Sequence, residues 1–316
     1  MAVNRSEYLA NVLETHRMSH IDKLVQKFRD KRGHIKEALE EHYTSDIYSP
    51  LNSGSFGKHT AINIKFDLDI VVPFKRNSFA TIEEMYNAVY DFLYEKYENT
   101  GLAQVRKQKV SIGVIFKADK DGDQISIDVV PGREISVDSY LDVRDLNIYF
   151  NKDTWGFSKG TYMKTNIQSQ IDTIKSRDDE RKIIRLLKIW KHSNSESYKS
   201  FLMELFTLKA FDKSTITGNL WEKTEGVLSY IKDNVTREDF TLKDPGNPSN
   251  DLMKNLTWFD RQNLSNKMGN MIDRITENSE NIKIYFPVNK DFDTAESYGL
   301  KGSTGLSIPK DDQRFG

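Results

Sequence analysis

Three aspartates have the type and spacing to do chemistry. Asp67 and Asp69 stand two apart in KFDLDIVVPF, and Asp128 interrupts a second apolar run, ISIDVVPG. Burying a carboxylate is costly unless something pairs with it, so acids inside apolar strands need a reason. On a strand, side chains two apart share a face with backbones about 6.5 to 7 Å apart. Asp67 and Asp69 therefore aim one way, and Phe66, Leu68, Ile70 and Val72 the other. In the second run Ile125, Ile127 and Val129 share a face, leaving Ser126, Asp128 and Val130 opposite. Metal-assisted phosphoryl transfer needs this kind of set. Two divalent cations about 3.5 to 4 Å apart, bridged by carboxylates, clamp the attacking and leaving oxygens of an in-line displacement. In that scheme Asp67 and Asp69 would bridge both divalent cations. Asp128 completes the second ion and helps deprotonate the attacking hydroxyl. A lone strand acid would merely end a strand or pair with a buried cation; three on matching faces favour chemistry.

Ahead of the acids lies GSFGKHTAI. It is not a P-loop, because Asn52 stands where the first Gly belongs and His59 follows Lys58 in place of Ser or Thr. A turn at Gly54 and Ser55 opening a short helix still offers backbone N–H groups and a hydroxyl to phosphate oxygens. Asp119, Asp121 and Asp123 do not make an EF-hand, since Gly122 is fourth and Val130 twelfth where Gly is required sixth and Glu twelfth. They read as a solvated hairpin turn.

The elements that must position these residues follow from apolar periodicity. Residues 21–43 form one long amphipathic helix, 66–72 a strand, 81–97 a helix, and 110–117 and 125–130 two strands joined by ADKDGD. After Phe150 the texture is helical. Ser176 and Asp179 read as a capping box opening a helix through DERKIIRLLKIWKH, and further helices fall at about 197–212, 219–234 and 257–276. On the first of these helices Ile183, Leu186, Leu187 and Trp190 make a buried stripe, with Arg181, Arg185 and Lys188 on another side, normally a solvated basic face. The division is an α/β core over 1–160, a helical domain over 161–286, and a polar, Gly-rich tail over 287–316.

The bulk properties bound the rest. The chain has 316 residues, 37% apolar and 29% charged, a formal charge of −1 and no cysteine. Disulfides and thiolate zinc sites are excluded, and the near-zero charge argues against a broad basic face for wrapping a duplex. No apolar run reaches membrane-span length and no N-terminal apolar segment reads as a signal, so the expected location is cytoplasmic.

Taken in order, GSFGKHTAINIKFDLD, ISIDVVPG, IIRLLKIWK, SFLMELF and DPGNPSND resemble the cGAS/DncV-like nucleotidyltransferases, relatives of the oligoadenylate synthases. The bacterial CBASS branch, which makes cyclic oligonucleotides in anti-phage signalling, is the most similar. The resemblance spans roughly residues 20–285. It implies an α+β, polymerase-β-like nucleotidyltransferase core followed by an all-helical domain, bilobed with a central cleft for NTP and Mg²⁺. It implies that Asp67, Asp69 and Asp128 bind metal, that Gly54 and Ser55 hold the donor triphosphate, and that Lys188 and Ser200 touch phosphates. Phe201 would stack on the donor base, and Asp244 would be structural. The implied reaction joins NTPs, ATP among them, into a cyclic di- or oligonucleotide with release of pyrophosphate.

Departures from the family are equally informative. DNA-sensing animal members carry a Cys/His zinc insertion and RNA-sensing members a basic spine; this chain has no cysteine and no net positive charge, so a nucleic-acid activator is not expected. Basal activity or control by a partner protein suits the composition better. The terminal RFG resembles tails that a ubiquitin-transfer-like enzyme joins to other molecules through a final small residue, here Gly316. An alternative keeps the chemistry but changes the acceptor to an RNA end, a small molecule or a protein. A binding module without activity would have lost its acids.

Overall fold

The structure, a computed structural model, describes residues 2–151 and 160–293. Gly316 and its proposed conjugation lie outside the described residues. Two helices open the chain, α1 (Arg5–Thr15) and α2 (Asp22–Tyr43), followed by β1 (Leu51–Ser53), a single turn α3 (Gly54–Gly57), β2 (Asp69–Phe74) and α4 (Ile82–Leu93). Next come β3 (Ala103–Lys107), β4 (Ile112–Phe116), β5 (Ser126–Glu134), α5 (Tyr140–Val143), β6 (Leu146–Tyr149), β7 (Tyr162–Thr165), α6 (Ile167–Ile174) and α7 (Asp178–Ser193). The chain continues with α8 (Ser200–Lys213), α9 (Leu220–Asn234), a hairpin of β8 (Lys243–Asp244) and β9 (Asn247–Asp251), then α10 (Trp258–Glu277) and α11 (Ile282–Tyr285).

The long strand β5 organises the sheet. Along one edge it takes β2 in parallel, with Ile70 opposite Val129. Its other edge is shared, β4 pairing with the first half and β6 with the second, both antiparallel. β1 flanks β2, β3 flanks β4, and β7 flanks β6. Alternation sorts the side chains. Leu68, Ile70, Val72, Ile125, Ile127 and Val129 enter one apolar cluster with α2 and α4, while Val71 and Val130 enter another on the opposite face with Leu146, Ile148 and Ile167. A third cluster joins α7, α8, α9 and α10, and Leu9 and Val12 of α1 belong to it.

Helix starts follow local capping chemistry. Capping boxes open α4 (Thr81 with Glu84), α9 (Asn219 with Glu222) and α10 (Thr257 with Asp260). The box expected at Ser176 and Asp179 is not formed. Ser176 lies at φ +66, Arg177 takes the N-cap position with no side-chain cap, and Asp178, Asp179 and Glu180 in the first turn oppose the helix dipole instead. The strand β7 and the β8–β9 hairpin also depart from the helical texture expected after Phe150; β7 is a largely exposed edge, and Asn-Pro-Ser-Asn-Asp carries no apolar alternation to announce a strand. The first residues of the expected tail are anchored. Asn289 N–H donates to Thr15 Oγ1 at 3.0 Å, and Phe292 stacks on His20 with centroids 4.8 Å apart. Among the described residues no helix is long and apolar enough to cross a membrane.

Candidate active site

Parallel pairing of Ile70 with Val129 sets the preceding residues, Asp69 and Asp128, side by side on adjacent strands. Each turns away from the cluster that takes Ile70 and Val129. They are 4% and 2% exposed. Gln108 Nε2 donates to Asp128 Oδ1 at 3.1 Å, and Ser111 Oγ donates to Gln108 Oε1 at 2.7 Å, which fixes which end of the amide faces the acid. Across the ladder from Asp128 stands Gly113; a Cβ there would lie 2.4 Å from Gln108 Nε2, so glycine leaves the room this amide needs.

The strand carrying Asp69 begins at Asp69 itself, not at 66 as alternation predicts. Its antiparallel neighbour β1 ends at Ser53, opposite Asp69, so Asp67 has no ladder partner there. The apolar alternation still holds, since Phe66 packs on the same cluster as Leu68 and Ile70. Asp67 is half-buried just ahead of the pair. Among the described residues, only Asp119, Asp121 and Asp123 have carboxylate oxygens all within 4.8 Å of one another; Asp67, Asp69 and Asp128 are not gathered that closely.

The Gly-Ser loop lies directly on Asp69. Gly54 adopts φ +70, and a Cβ on it would fall 2.0 Å from Asp69 Oδ2. Glycine is required twice, for the left-handed backbone and for the close approach. Ser55 follows in α3, its carbonyl accepting the Thr60 N–H at 2.9 Å. Thr60 is held in turn by Lys188 of α7, whose Nζ donates to Thr60 Oγ1 at 2.8 Å and Thr60 O at 3.0 Å. Burial pushes the Lys188 pKa down to about 8, with Glu204 and Asp67 pulling it up and Lys58 and Lys191 adding to the depression.

Ser200 and Phe201 begin α8, both half-buried. Lys58 Nζ sits 4.7 Å from the Phe201 ring centroid and donates to Glu204 Oε1 at 2.7 Å, a buried ion pair joining the loop to α8. Asp244 accepts from Gly246 N–H at 2.8 Å and Gln170 Nε2 at 2.9 Å, a turn-stabilising arrangement. Burial raises its pKa against these bonds.

Four residues of the site escape spacing arguments. Gln108 occupies a loop without motif character, Thr60 stands in GSFGKHTAI with nothing in the sequence to announce its partner, and Glu204 sits in an apolar stretch where a single acid was the only sign of the partner Lys58 meets. Arg32 of α2 is half-buried, its pKa lowered by burial and Arg29 and raised by the charge of Asp69.

In sequence the chain is similar to the cyclic AMP-AMP-AMP synthase of Escherichia coli strain MS 115-1, 24% identical over 232 residues that cover 69% of this chain and 68% of that protein. It is also similar to the CBASS oligonucleotide cyclase CdnC of Escherichia coli strain KTE188, 24% identical over 236 residues, 71% and 68% of the two chains. The solved structure of E. coli MS115-1 CdnC with ATP superimposes with a TM-score of 0.68 at 19% identity, covering 89% of this chain and 97% of that one. Vibrio cholerae DncV cyclic AMP-GMP synthase gives 0.58 at 13% identity, covering 75% and 69%. No family model matches the chain. It has the fold of the cGAS/DncV-like nucleotidyltransferases and is similar in sequence to their CBASS cyclases, as the order of its motifs implies.

Proposed function

We propose that this protein is a Mg²⁺-dependent nucleotidyltransferase that joins NTPs into a cyclic di- or oligonucleotide second messenger in anti-phage signalling. The observation that carries the reading is the side-by-side burial of Asp69 and Asp128 directly beneath the Gly54 backbone. Carboxylate oxygens suit hard divalent ions, and the glycine cradle keeps the approach to Asp69 open where any side chain would fill it. Asp67, Asp69 and Asp128 would hold two Mg²⁺ ions, or Mn²⁺ in their place. Bound there, the ions supply charge neutralisation for an in-line displacement at phosphorus.

The chain's own residues do the remaining work. Ser55 and the amides of α3 receive the donor triphosphate, and Lys188 positions them by fixing Thr60. Lys58 of the same loop, placed by Glu204, lies over the Phe201 ring, and Phe201 and its neighbour Ser200 would face the donor nucleotide. Asp128, oriented by Gln108, accepts the proton of an attacking ribose hydroxyl. An oxygen–phosphorus bond forms at the α-phosphate, the bond to the β-phosphate oxygen breaks, and pyrophosphate leaves. The step repeats until the product closes into a ring. The sheet with α2 and α4 on one side, and the helical cluster of α7 to α10 with α1 on the other, act as the two sides of the site, tied by Lys58 to Glu204 and Lys188 to Thr60.

ATP is the first substrate to try, since one relative is named a cyclic AMP-AMP-AMP synthase. E. coli CdnC has been solved in complex with HORMA-deltaN, which favours a regulatory protein partner here over a nucleic-acid activator. Incubating purified protein with Mg²⁺ and a labelled mixture of all four NTPs tests the reading. A phosphatase-resistant product with pyrophosphate release, and no added acceptor, is expected; product only on addition of an RNA end, small molecule or protein would transfer the chemistry to that acceptor.

A further inference from the structure

A cavity of about 460 Å³ opens between α1, α7 and α9, and Asp67, Asp69 and Asp128 do not line it. That volume is in the range of small-molecule sites. Four cations line it, Arg17, Lys182, Arg185 and Lys223, against two acids, Glu14 and Asp179. Leu13 and Leu220 give it an apolar side. The acids are already engaged: Arg17 pairs with Glu14 at 2.9 Å, and Lys182 and Lys223 share Asp179. Arg185 is left over. Among the described residues no carboxylate lies within ion-pair distance of it, its Nε is buried without a hydrogen-bond partner, and Arg17 and Arg181 repel it while Asp178 attracts it more weakly. Asp178 is itself paired with Arg181 at 3.1 Å. A half-buried guanidinium with no acid of its own among the described residues, beside three more cations and an apolar wall, is a receptor for phosphate groups attached to an organic body.

We propose that this cavity binds a phosphorylated small molecule of nucleotide size, at a site separate from the aspartates. Binding there reaches the candidate active site through two short connections. Asn63 Nδ2 donates to Thr15 O at 2.9 Å and Arg17 O at 3.2 Å, and Lys188, one turn beyond Arg185 on α7, holds Thr60. Both arginines therefore belong to segments that clasp the loop between Ser55 and Asp67, and an anion drawing them together tightens that loop. The inference does not depend on the reaction assigned above.

Calorimetric titration of the full chain with ADP, and separately with pyrophosphate, in EDTA tests it. The Asp69→Asn/Asp128→Asn protein should retain a saturable site that Arg17→Gln/Arg185→Gln weakens about tenfold, the loss of a charge-assisted hydrogen bond or more. Tighter binding of ADP than of pyrophosphate identifies an organic body on the leucines; equal binding identifies free polyphosphate as the ligand. Hydrogen exchange at Thr60 and Asn63 should slow on addition of ligand to wild type and not to the arginine variant. If that variant fails to fold, Lys182→Gln, at the surface, should weaken binding about threefold. Unchanged affinity in the folded variants, or no saturable binding, would overturn the proposal.

Discussion

Asp119, Asp121 and Asp123 crowd a hairpin turn with carboxylate oxygens all within 4.8 Å of one another, and on proximity alone they outrank Asp67, Asp69 and Asp128 as a cation site. Their surroundings say otherwise. Lys27 Nζ of α2 reaches all three, at 2.7, 2.6 and 2.6 Å, and the acids are one-third to one-half exposed. The turn already contains its counter-cation, and its charge docks the hairpin onto α2. Asp69 and Asp128 are built differently, with positions fixed by strand register, one oxygen oriented by Gln108, and a glycine backbone laid against the other acid. Carboxylates become chemically useful when rigid elements hold them and a cradle keeps their approach open, not when a flexible turn merely brings them together.

The contrast can be broken in graded steps. Asp69→Asn or Asp128→Asn should lower nucleotide joining by about a thousandfold or more, the scale of lost charge stabilisation in phosphoryl transfer. Asp121→Asn should leave the rate within about twofold, since its neutralising Lys27 is outside the chemistry; equal losses in steady-state pyrophosphate release would erase the distinction. Next in size is the buried link between loop and helix. Lys58→Met leaves Glu204 uncompensated and should cost about 3 to 5 kcal/mol in denaturant unfolding, while Lys58→Met/Glu204→Leu recovers most of it. Gly54→Ala places a Cβ 2.0 Å from Asp69 Oδ2 and should reduce turnover about a hundredfold through misplacement of the acid, with a stability loss of only about 1 to 2 kcal/mol.

Lys188 yields a pH signature. Its pKa is lowered from 10.5 to about 8, chiefly by burial, so the folded chain loses this proton before the unfolded chain does. Stability therefore carries a penalty below pH 8 that is relieved as pH rises from about 8 to 10.5. Unfolding curves of wild type minus Lys188→Met should show that rise; a flat difference would deny the buried charge. The smallest effect belongs to Lys27→Gln, which frees three like charges on the hairpin. A slight drop in melting temperature, reduced by added salt, is expected without change in turnover.

Much of this was legible in residue order. Alternation placed Asp69 and Asp128 on the face opposite Ile70 and Val129, and the long helix after residue 21 appeared almost end to end, because periodic burial is what both elements are made of. Parallel register between β2 and β5 was not legible, since a crossover of more than fifty residues leaves no local trace, and it is register that makes the two acids neighbours. The start of β2 depended on where β1 ends, a tertiary fact. Ser176 had a cap's composition but not its backbone, and the polar strands β7 and β9 offered no alternation to read. The partners Gln108, Glu204 and Thr60 meet their groups only through the fold.

The most direct test is Mn²⁺ binding measured by electron paramagnetic resonance in the presence of a non-hydrolysable ATP analogue. The Asp69→Asn/Asp128→Asn protein should lose the nucleotide-dependent Mn²⁺ signal, and the Asp119→Asn/Asp121→Asn/Asp123→Asn protein should keep it in full. Retention in the first, or loss in the second, would contradict the assignment of the strand aspartates as the reacting centre.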